Sequence, residues 1–193
     1  MIITEPKWKS WVVETKEPLF TPEQCQMVIE AGRRQEPQKA QVGMGKPGGG
    51  LDTKKRTTTI SWLPFDEMKE MYTQVDSFIK KANRNHFGFE DVHVTEQAQF
   101  TEYPEGGFYD WHMDSDVNMQ HEPPVRKISM TLLLSHENQF EGGELELMAK
   151  GRRAKMEQGH AIIFASFLNH RVAPVTRGVR QSLVMWFGGT PFR

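Results

Sequence analysis

The fold is decided by the stretch YPEGGFYDWHMD, residues 103–114, and by what lies on either side of it. The two glycines favour a turn, and the aromatic run over residues 108–113 favours a strand, because aromatic side chains fit a pleated surface. Successive side chains of a strand point to opposite faces, so His112 and Asp114 are expected on the same face. The pair can therefore bind one metal ion together, although an H-x-D triplet alone is more typical of a solvated strand end.

The chain after residue 92 consists of short segments that are typical of strands. Turns rich in glycine or proline separate them, and there is no further helical periodicity of useful length. The strand candidates are the alternating segment 94–100 and residues 108–113, 127–134, 145–148, 161–165, 171–175 and 179–187. Seven short strands at this spacing predict a sandwich or jelly roll.

The N-terminal part of the chain predicts two helices. Thr21 and Gln24 form the pattern of a capping box at the start of a helix over residues 22–34. Apolar residues that recur at intervals of three and four predict a second helix over residues 65–82. These helices are expected to support the strand-rich part.

A glycine-rich segment lies between the two helices. The sequence VGMGKPGGG, residues 42–50, predicts a mobile loop, and residues 54–63 predict a strand after it. We expect one domain over residues 1–193 that is mainly β, with helical support over about residues 1–91 and a barrel core over about residues 92–193.

Composition limits the classes of protein to which this chain can belong. The formal net charge is −1, which gives no overall attraction to nucleic acid, and the one cysteine, Cys25, excludes a disulfide framework. The sequence contains no run of about 18 apolar residues that could span a membrane. Its N-terminus, MIITEPKWKS, does not resemble a signal peptide. We therefore expect a cytoplasmic protein with no nucleic-acid partner and no membrane partner.

A second cluster of candidate site residues lies at NHRVAPVTRGVR, residues 169–180. Together with the H-x-D triplet, His170 would complete the two imidazoles and one carboxylate that hold Fe(II) on one side and leave other positions open. Arg180, ten residues later, offers a planar fork that suits a carboxylate. The alternatives are a turn histidine at position 170 and a solvated cation at position 180.

The ordered motifs are residues 103–114, then FEGGEL at 140–145, then Gly159, Phe164 and Ser166, and finally HRVAPVTRGVR at 170–180. Together they resemble the Fe(II)/2-oxoglutarate dioxygenases of the prolyl 4-hydroxylase-like group. The resemblance covers about residues 97–188 and all of the predicted barrel. It implies a double-stranded β-helix, which agrees with the jelly roll predicted from the strands.

The resemblance also implies roles for particular residues. His112, Asp114 and His170 match the iron ligands, and Arg180 matches the residue that holds the C5 carboxylate of 2-oxoglutarate. The implied cofactors are Fe(II), 2-oxoglutarate as cosubstrate and O2, with ascorbate added in an assay. Tyr103 matches a family tyrosine that faces the cosubstrate and substrate, although aromatic packing in the barrel would also explain it.

One departure from the family pattern concerns the partner of Arg180. Relatives often have a tyrosine near position 133, and this chain has Leu133 there. Ser129 and Thr131 share the parity of Leu133, so their hydroxyls are candidates to replace the missing one, with plain strand packing as the alternative. Arg126 begins the same strand and is expected to be a solvated edge charge.

The expected function is hydroxylation of an unactivated C–H bond, coupled to decarboxylation of 2-oxoglutarate. The resemblance points to prolyl residues in a polypeptide substrate, with the loop over residues 42–58 closing over it as a lid. One alternative is a hydroxylase of a free amino acid or other small molecule. Another, from a different class, is a non-catalytic jelly roll that binds a metal and a ligand. The sequence leaves the oligomeric state open.

Overall fold

The computed structural model describes residues 10–39, 56–115, 124–148, 152–154 and 156–192. Within these ranges the helices are α1 (Pro22–Arg34) and α2 (Lys69–Ala82), with a π-helical turn (Asn83–Phe87) and a 3-10 turn (Glu137–Gln139). The strands, in chain order, are β1 (Val12–Glu14), β2 (Gln38–Lys39), β3 (Arg56–Thr57), β4 (Thr59–Leu63), β5 (His93–Val94), β6 (Ala98–Tyr103), β7 (Phe108–His112), β8 (Val125–Leu133), β9 (Phe140–Gly142), β10 (Leu145–Leu147), β11 (Arg152–Ala154), β12 (Ala161–Ala165), β13 (His170–Val172), β14 (Val175–Gly178) and β15 (Arg180–Gly189).

Antiparallel pairing arranges these strands into two main sheets. The larger sheet has the order β1-β12-β8-β15-β6-β4-β2, and β5 pairs with β15 beside it. The smaller sheet has the order β11-β10-β13-β7-β3, while β9 and β14 form a separate pair. The chain alternates between the sheets, as in a jelly roll. This confirms the predicted fold class, mainly β with helices near the N-terminus.

The larger sheet buries a different core on each face. Along β12, Ala161 and Ile163 belong to one core, whereas Ile162 and Phe164 belong to the other. The first core includes most of the buried apolar residues of the two helices, and the second includes those of β10 and β13. The helices therefore cover one face of the larger sheet, and the other face packs against the smaller sheet.

The two helices form largely where the sequence predicts them. At the start of α1 the Gln24 backbone N–H donates to Thr21 Oγ1 at 3.3 Å, and the Thr21 N–H donates to Gln24 Oε1 at 2.9 Å, which confirms the capping box. α2 begins at Lys69 rather than Phe65, because Phe65 lies in a turn and packs on Tyr72 with ring centroids 4.6 Å apart. Within the described ranges, no helix combines the length and apolar character needed to cross a membrane.

Several strands differ from the prediction. The segment predicted as one strand over residues 171–175 is divided into β13 and β14, because Pro174 has no N–H to donate to a ladder. Residues 152–154, which lie outside the predicted strands, form β11, which pairs with β10. From the part expected to be helical support, β1 pairs with β12 and β4 pairs with β6. The N-terminal segment therefore contributes strands to the larger sheet as well as helices.

Candidate metal centre

Two histidines meet on neighbouring strands of the smaller sheet. His112 ends β7, His170 begins β13, and the two are directly paired, with ring centroids 4.1 Å apart. Asp114 lies beyond the end of β7, where its backbone N–H donates to the Ser166 carbonyl at 3.0 Å. Strand alternation was expected to bring His112 and Asp114 together; the structure instead ends the strand at His112 and fixes Asp114 through the turn that contains Ser166.

The side chains of these three residues converge. Asp114 Oδ1 lies 3.6 Å from His112 Nε2, and Asp114 Oδ2 lies 3.6 Å from His170 Nε2. One ligating atom from each residue lies within 4.8 Å of the others. Two imidazole nitrogens and one carboxylate oxygen are the donor set that non-haem Fe(II) sites use. The structure thus brings together the three residues that the sequence selected.

Backbone carbonyls orient both imidazoles. His112 Nδ1 is 2.7 Å from the Asp110 carbonyl oxygen, and His170 Nδ1 is 2.9 Å from the Leu168 carbonyl oxygen. A carbonyl oxygen can only accept, so each Nδ1 carries a hydrogen, and the neutral form of such a ring has its lone pair on Nε2. This is the tautomer that a metal-binding histidine needs, with its other nitrogen fixed by a hydrogen bond.

The protonation states of the site also suit a metal ion. Burial, followed by the nearby His170, lowers the pKa of His112 to about 3, so this imidazole is neutral at physiological pH. Burial alone would raise the pKa of Asp114, but the adjacent imidazoles, the Arg126 charge and the Ser129 hydroxyl lower it to about 2. A neutral imidazole and an ionised carboxylate are the forms that ligate a metal.

Tyr109 and Arg56 extend the site in a way that the sequence did not predict. The Tyr109 ring stacks on the His112 ring with centroids 3.5 Å apart, and the Arg56 guanidinium lies 4.3 Å from the Tyr109 centroid. Regular alternation would separate Tyr109 and His112, which are three residues apart. The pairing of β7 with β13 is irregular between these positions, and this irregularity is not visible in the sequence.

Arg180 is a buried cation at the first position of β15. It is 2% exposed, its Nη1 donates to Ser182 Oγ at 3.1 Å, and its Nη2 has no hydrogen-bond partner. Tyr103 is paired with it on β6, and the Arg180 Cζ lies 5.4 Å from the Tyr103 ring centroid. An unpaired N–H on a buried guanidinium fits a carboxylate group.

A glycine makes room for this arginine. Gly143 has φ +66°, and a Cβ placed there would lie 2.8 Å from Arg180 Cδ and 2.9 Å from Val175 Cγ2. A side chain at position 143 would therefore be strained and would displace the stem of Arg180. The family motif FEGGEL includes this glycine, so the sequence contained a signal for it.

Ser129 does not lie beside Arg180, where it was expected to help hold the cosubstrate carboxylate. Its Oγ donates to Asp114 Oδ2 at 2.7 Å and lies 2.9 Å from Ser166 Oγ. On β8, Leu133 is opposite Ser182, whereas Ser129 is opposite Trp186, four residues further from the Arg180 end. At about 3.3 Å per residue, Ser129 is displaced by roughly 13 Å along the strand. The structure places it beside Asp114, one of the candidate metal ligands.

Two other arginines, Arg126 and Arg177, have acidic partners in the structure. Arg126 donates to both carboxylate oxygens of Glu96, and its Cζ lies 3.9 Å from the Trp186 ring centroid. It is therefore an ion-paired, partly buried cation and not the expected solvated edge charge. Arg177 pairs with Glu141 at 2.9 Å, and its side chain is 57% exposed. The expected lid over residues 42–58 lies mostly outside the described residues, which resume at Arg56.

Comparison with known proteins identifies the family. Residues 98–188 match the family model described as the 2OG-Fe(II) oxygenase superfamily. These residues belong to that superfamily. The match contains His112, Asp114, His170 and Arg180, and it confirms the family predicted from the sequence. The superfamily implies Fe(II), 2-oxoglutarate and O2 as cofactors, and the donor set and the buried guanidinium fit the first two.

PKHD-type hydroxylases are similar in sequence to this chain. A PKHD-type hydroxylase from Colwellia psychrerythraea is 32% identical over 148 residues, which cover 74% of this chain and 65% of the relative. The chain thus spans slightly less than two thirds of that relative.

Two solved structures share the fold. A Pseudomonas putida prolyl-4-hydroxylase aligns with a TM-score of 0.70 and 22% identity over 93% of this chain and 92% of that chain. A prolyl hydroxylase from Trichoplax adhaerens, in complex with a hypoxia inducible factor oxygen degradation domain peptide fragment, aligns with a TM-score of 0.69 and 18% identity over 93% of this chain and 84% of that chain.

Proposed function

We propose that this protein is an Fe(II)- and 2-oxoglutarate-dependent hydroxylase that binds iron through His112, Asp114 and His170. The observation that carries the proposal is the convergence of two Nε2 atoms and one carboxylate, with ligating atoms all within 4.8 Å. Both Nδ1 atoms are fixed by carbonyls, so the imidazoles need no rearrangement to ligate.

Arg180 is the proposed clamp for the distal carboxylate of 2-oxoglutarate. Its unpaired Nη2 supports this role, and Ser182 already fixes the other arm of the fork. Tyr103 contributes a wall beside the guanidinium rather than a hydrogen bond to it. The clamp would orient the cosubstrate so that its other end faces the metal ligands.

The protein's part in catalysis is to bind, orient and exclude water. Bound Fe(II) with 2-oxoglutarate and O2 would supply the oxidising chemistry that converts a C–H bond to an alcohol. The triad holds the metal from one side, and Arg180 holds the cosubstrate. Tyr109 covers one face of His112 and shields that ligand from solvent.

The proposed substrate is a prolyl residue in a polypeptide. It is supported by the fold shared with the Pseudomonas putida prolyl-4-hydroxylase and with the peptide-bound Trichoplax adhaerens enzyme. The free amino acid or small molecule is the competing substrate class. The two substrate classes can be distinguished with a library of proline-containing peptides, incubated with enzyme, Fe(II), 2-oxoglutarate and ascorbate. Mass spectrometry would detect the gain of one oxygen on a peptide proline.

Turnover of 2-oxoglutarate can be tested without the substrate that is hydroxylated. The protein supplied with Fe(II), ascorbate and 2-oxoglutarate is expected to release succinate slowly, whereas a non-catalytic binding jelly roll would release none. His112→Ala, Asp114→Ala and His170→Ala are each expected to abolish this turnover while the circular dichroism spectrum stays unchanged. Turnover retained in any of the three would contradict the assigned ligands.

A further inference from the structure

Two buried serines from other elements hold Asp114. Ser129 lies on β8 and is 1% exposed, and Ser166 follows β12 and is 0% exposed. Ser129 Oγ donates to Asp114 Oδ2 at 2.7 Å, and the two serine hydroxyls are 2.9 Å apart. The Ser166 carbonyl accepts the backbone N–H groups of Asp114 and Ser115, each at 3.0 Å. Both the side chain and the backbone of Asp114 are therefore fixed.

The direction of these hydrogen bonds follows from the chemistry of the groups. An ionised carboxylate can only accept, so the Ser129 hydroxyl donates its single hydrogen to Asp114. The contact between the serines must then use the hydrogen of Ser166, with Ser129 Oγ as the acceptor. The result is a chain of two hydrogen bonds that runs from Ser166 through Ser129 and ends on Asp114 Oδ2.

This chain makes the two carboxylate oxygens different. Each oxygen faces one imidazole Nε2 at 3.6 Å, but among the described side chains only Ser129 donates a hydrogen bond to the carboxylate, and it donates to Oδ2. A carboxylate that binds with one oxygen completes a facial triad and keeps the remaining positions open, whereas two bound oxygens would occupy one of them.

We propose that Ser129, supported by Ser166, is a positioning residue that holds Asp114 so that it binds the metal through Oδ1 alone. The inference rests on the proposed assignment of the metal ligands, and it does not depend on the substrate. Outer partners of metal ligands typically contribute about 10- to 100-fold to metal affinity. Ser129→Ala is therefore expected to weaken metal binding by about that factor, and Ser166→Ala to weaken it less.

The test is a titration of metal-free protein with Co(II), followed by visible absorption, which reports both affinity and coordination geometry without turnover. Ser129→Thr keeps the hydroxyl and is expected to restore the affinity and the spectrum of the wild type. Ser61→Ala is the matched control, since Ser61 is a buried serine on β4 opposite Phe100, in the face that packs on the helices. Its Co(II) affinity and spectrum are expected to match the wild type.

The outcomes separate the two proposals. Wild-type Co(II) affinity and an unchanged spectrum in both Ser129→Ala and Ser166→Ala would overturn the positioning role and leave the metal site standing. A wild-type protein that binds no Co(II) would overturn the metal site, and the positioning role with it. If Ser129→Ala fails to fold, as thermal unfolding of the metal-free protein would show, Ser166→Ala carries the test because it retains the direct bond to Asp114.

Discussion

Replacing Arg180 with methionine is expected to weaken 2-oxoglutarate binding while leaving the metal-free fold at least as stable. The guanidinium is 2% exposed and one of its nitrogens has no partner. Burial lowers the pKa of Arg180, which shows that the charge is held in an unfavourable environment. Methionine retains an apolar stem and removes that charge.

The size of the effect follows from these contacts. Truncating one partner of a buried, hydrogen-bonded charge pair costs about 2–5 kcal/mol, which is about 30- to 4000-fold in Kd. In the metal-free protein the same change removes one hydrogen bond to Ser182 Oγ, worth about 0.5–1.5 kcal/mol, and also removes a buried charge without a counter-ion. The lost hydrogen bond lowers the free energy of unfolding and the removed charge raises it, so the two effects oppose each other. The lost free energy of 2-oxoglutarate binding has no such compensation.

The assay is calorimetric titration of the metal-loaded protein with 2-oxoglutarate, paired with urea unfolding of the metal-free protein. Arg177→Met is the matched control, since that side chain is 57% exposed and pairs with Glu141 on the surface. It is expected to leave the Kd unchanged. Wild-type affinity in Arg180→Met would refute the clamp, and a large loss of metal-free stability would refute the view that Arg180 is held for a ligand.

Three further predictions concern residues around the site and in the core. Gly143→Ala is expected to weaken 2-oxoglutarate binding more than Co(II) binding, because its Cβ would displace Arg180; equal losses in the two titrations would contradict this. Tyr72→Phe should lower the free energy of unfolding in urea by about 1–3 kcal/mol, because the hydroxyl bridges the Leu63 carbonyl and the Ala98 N–H at 2.6 Å each; unchanged stability would show that the bridge is dispensable. Burial raises the pKa of Cys25 to about 11, so a thiol reagent at pH 8 should label it only on unfolding. The free energy of unfolding should also fall between about pH 8.5 and 11, since the unfolded thiol ionises first, and less so in Cys25→Ala.

The sequence predicts well those features that depend on local patterns. The capping box at Thr21 needs only a hydroxyl and a glutamine three residues later, and both hydrogen bonds form. The jelly roll follows from short strands with turn residues between them. The residues proposed as metal ligands and as the clamp were selected because they stand at ordered positions in a motif, which a linear sequence displays directly.

What the sequence could not predict depends on register. The place of Ser129 beside Asp114, rather than Arg180, is set by how β8 pairs with β15 and by a turn that brings Ser166 into contact with both Ser129 and Asp114. The stacking of Tyr109 on His112 depends on an irregular ladder. Both arise from long-range pairing, and no spacing in the chain encodes them.

The side chains of β15 alternate between the face of the candidate site and the face of the hydrophobic core beneath the helices. Arg180 and Trp186 share one parity; Arg180 pairs with Tyr103, whereas Trp186 contacts Arg126. The intervening Leu183 belongs instead to the core beneath the helices. A side chain on one face cannot reach the core on the other face, because the pleat directs alternate residues away from each other. The polar site can therefore contain a buried guanidinium without exposing the apolar core to it, and this explains how one strand can carry both the proposed clamp, Arg180, and residues of the hydrophobic core such as Leu183.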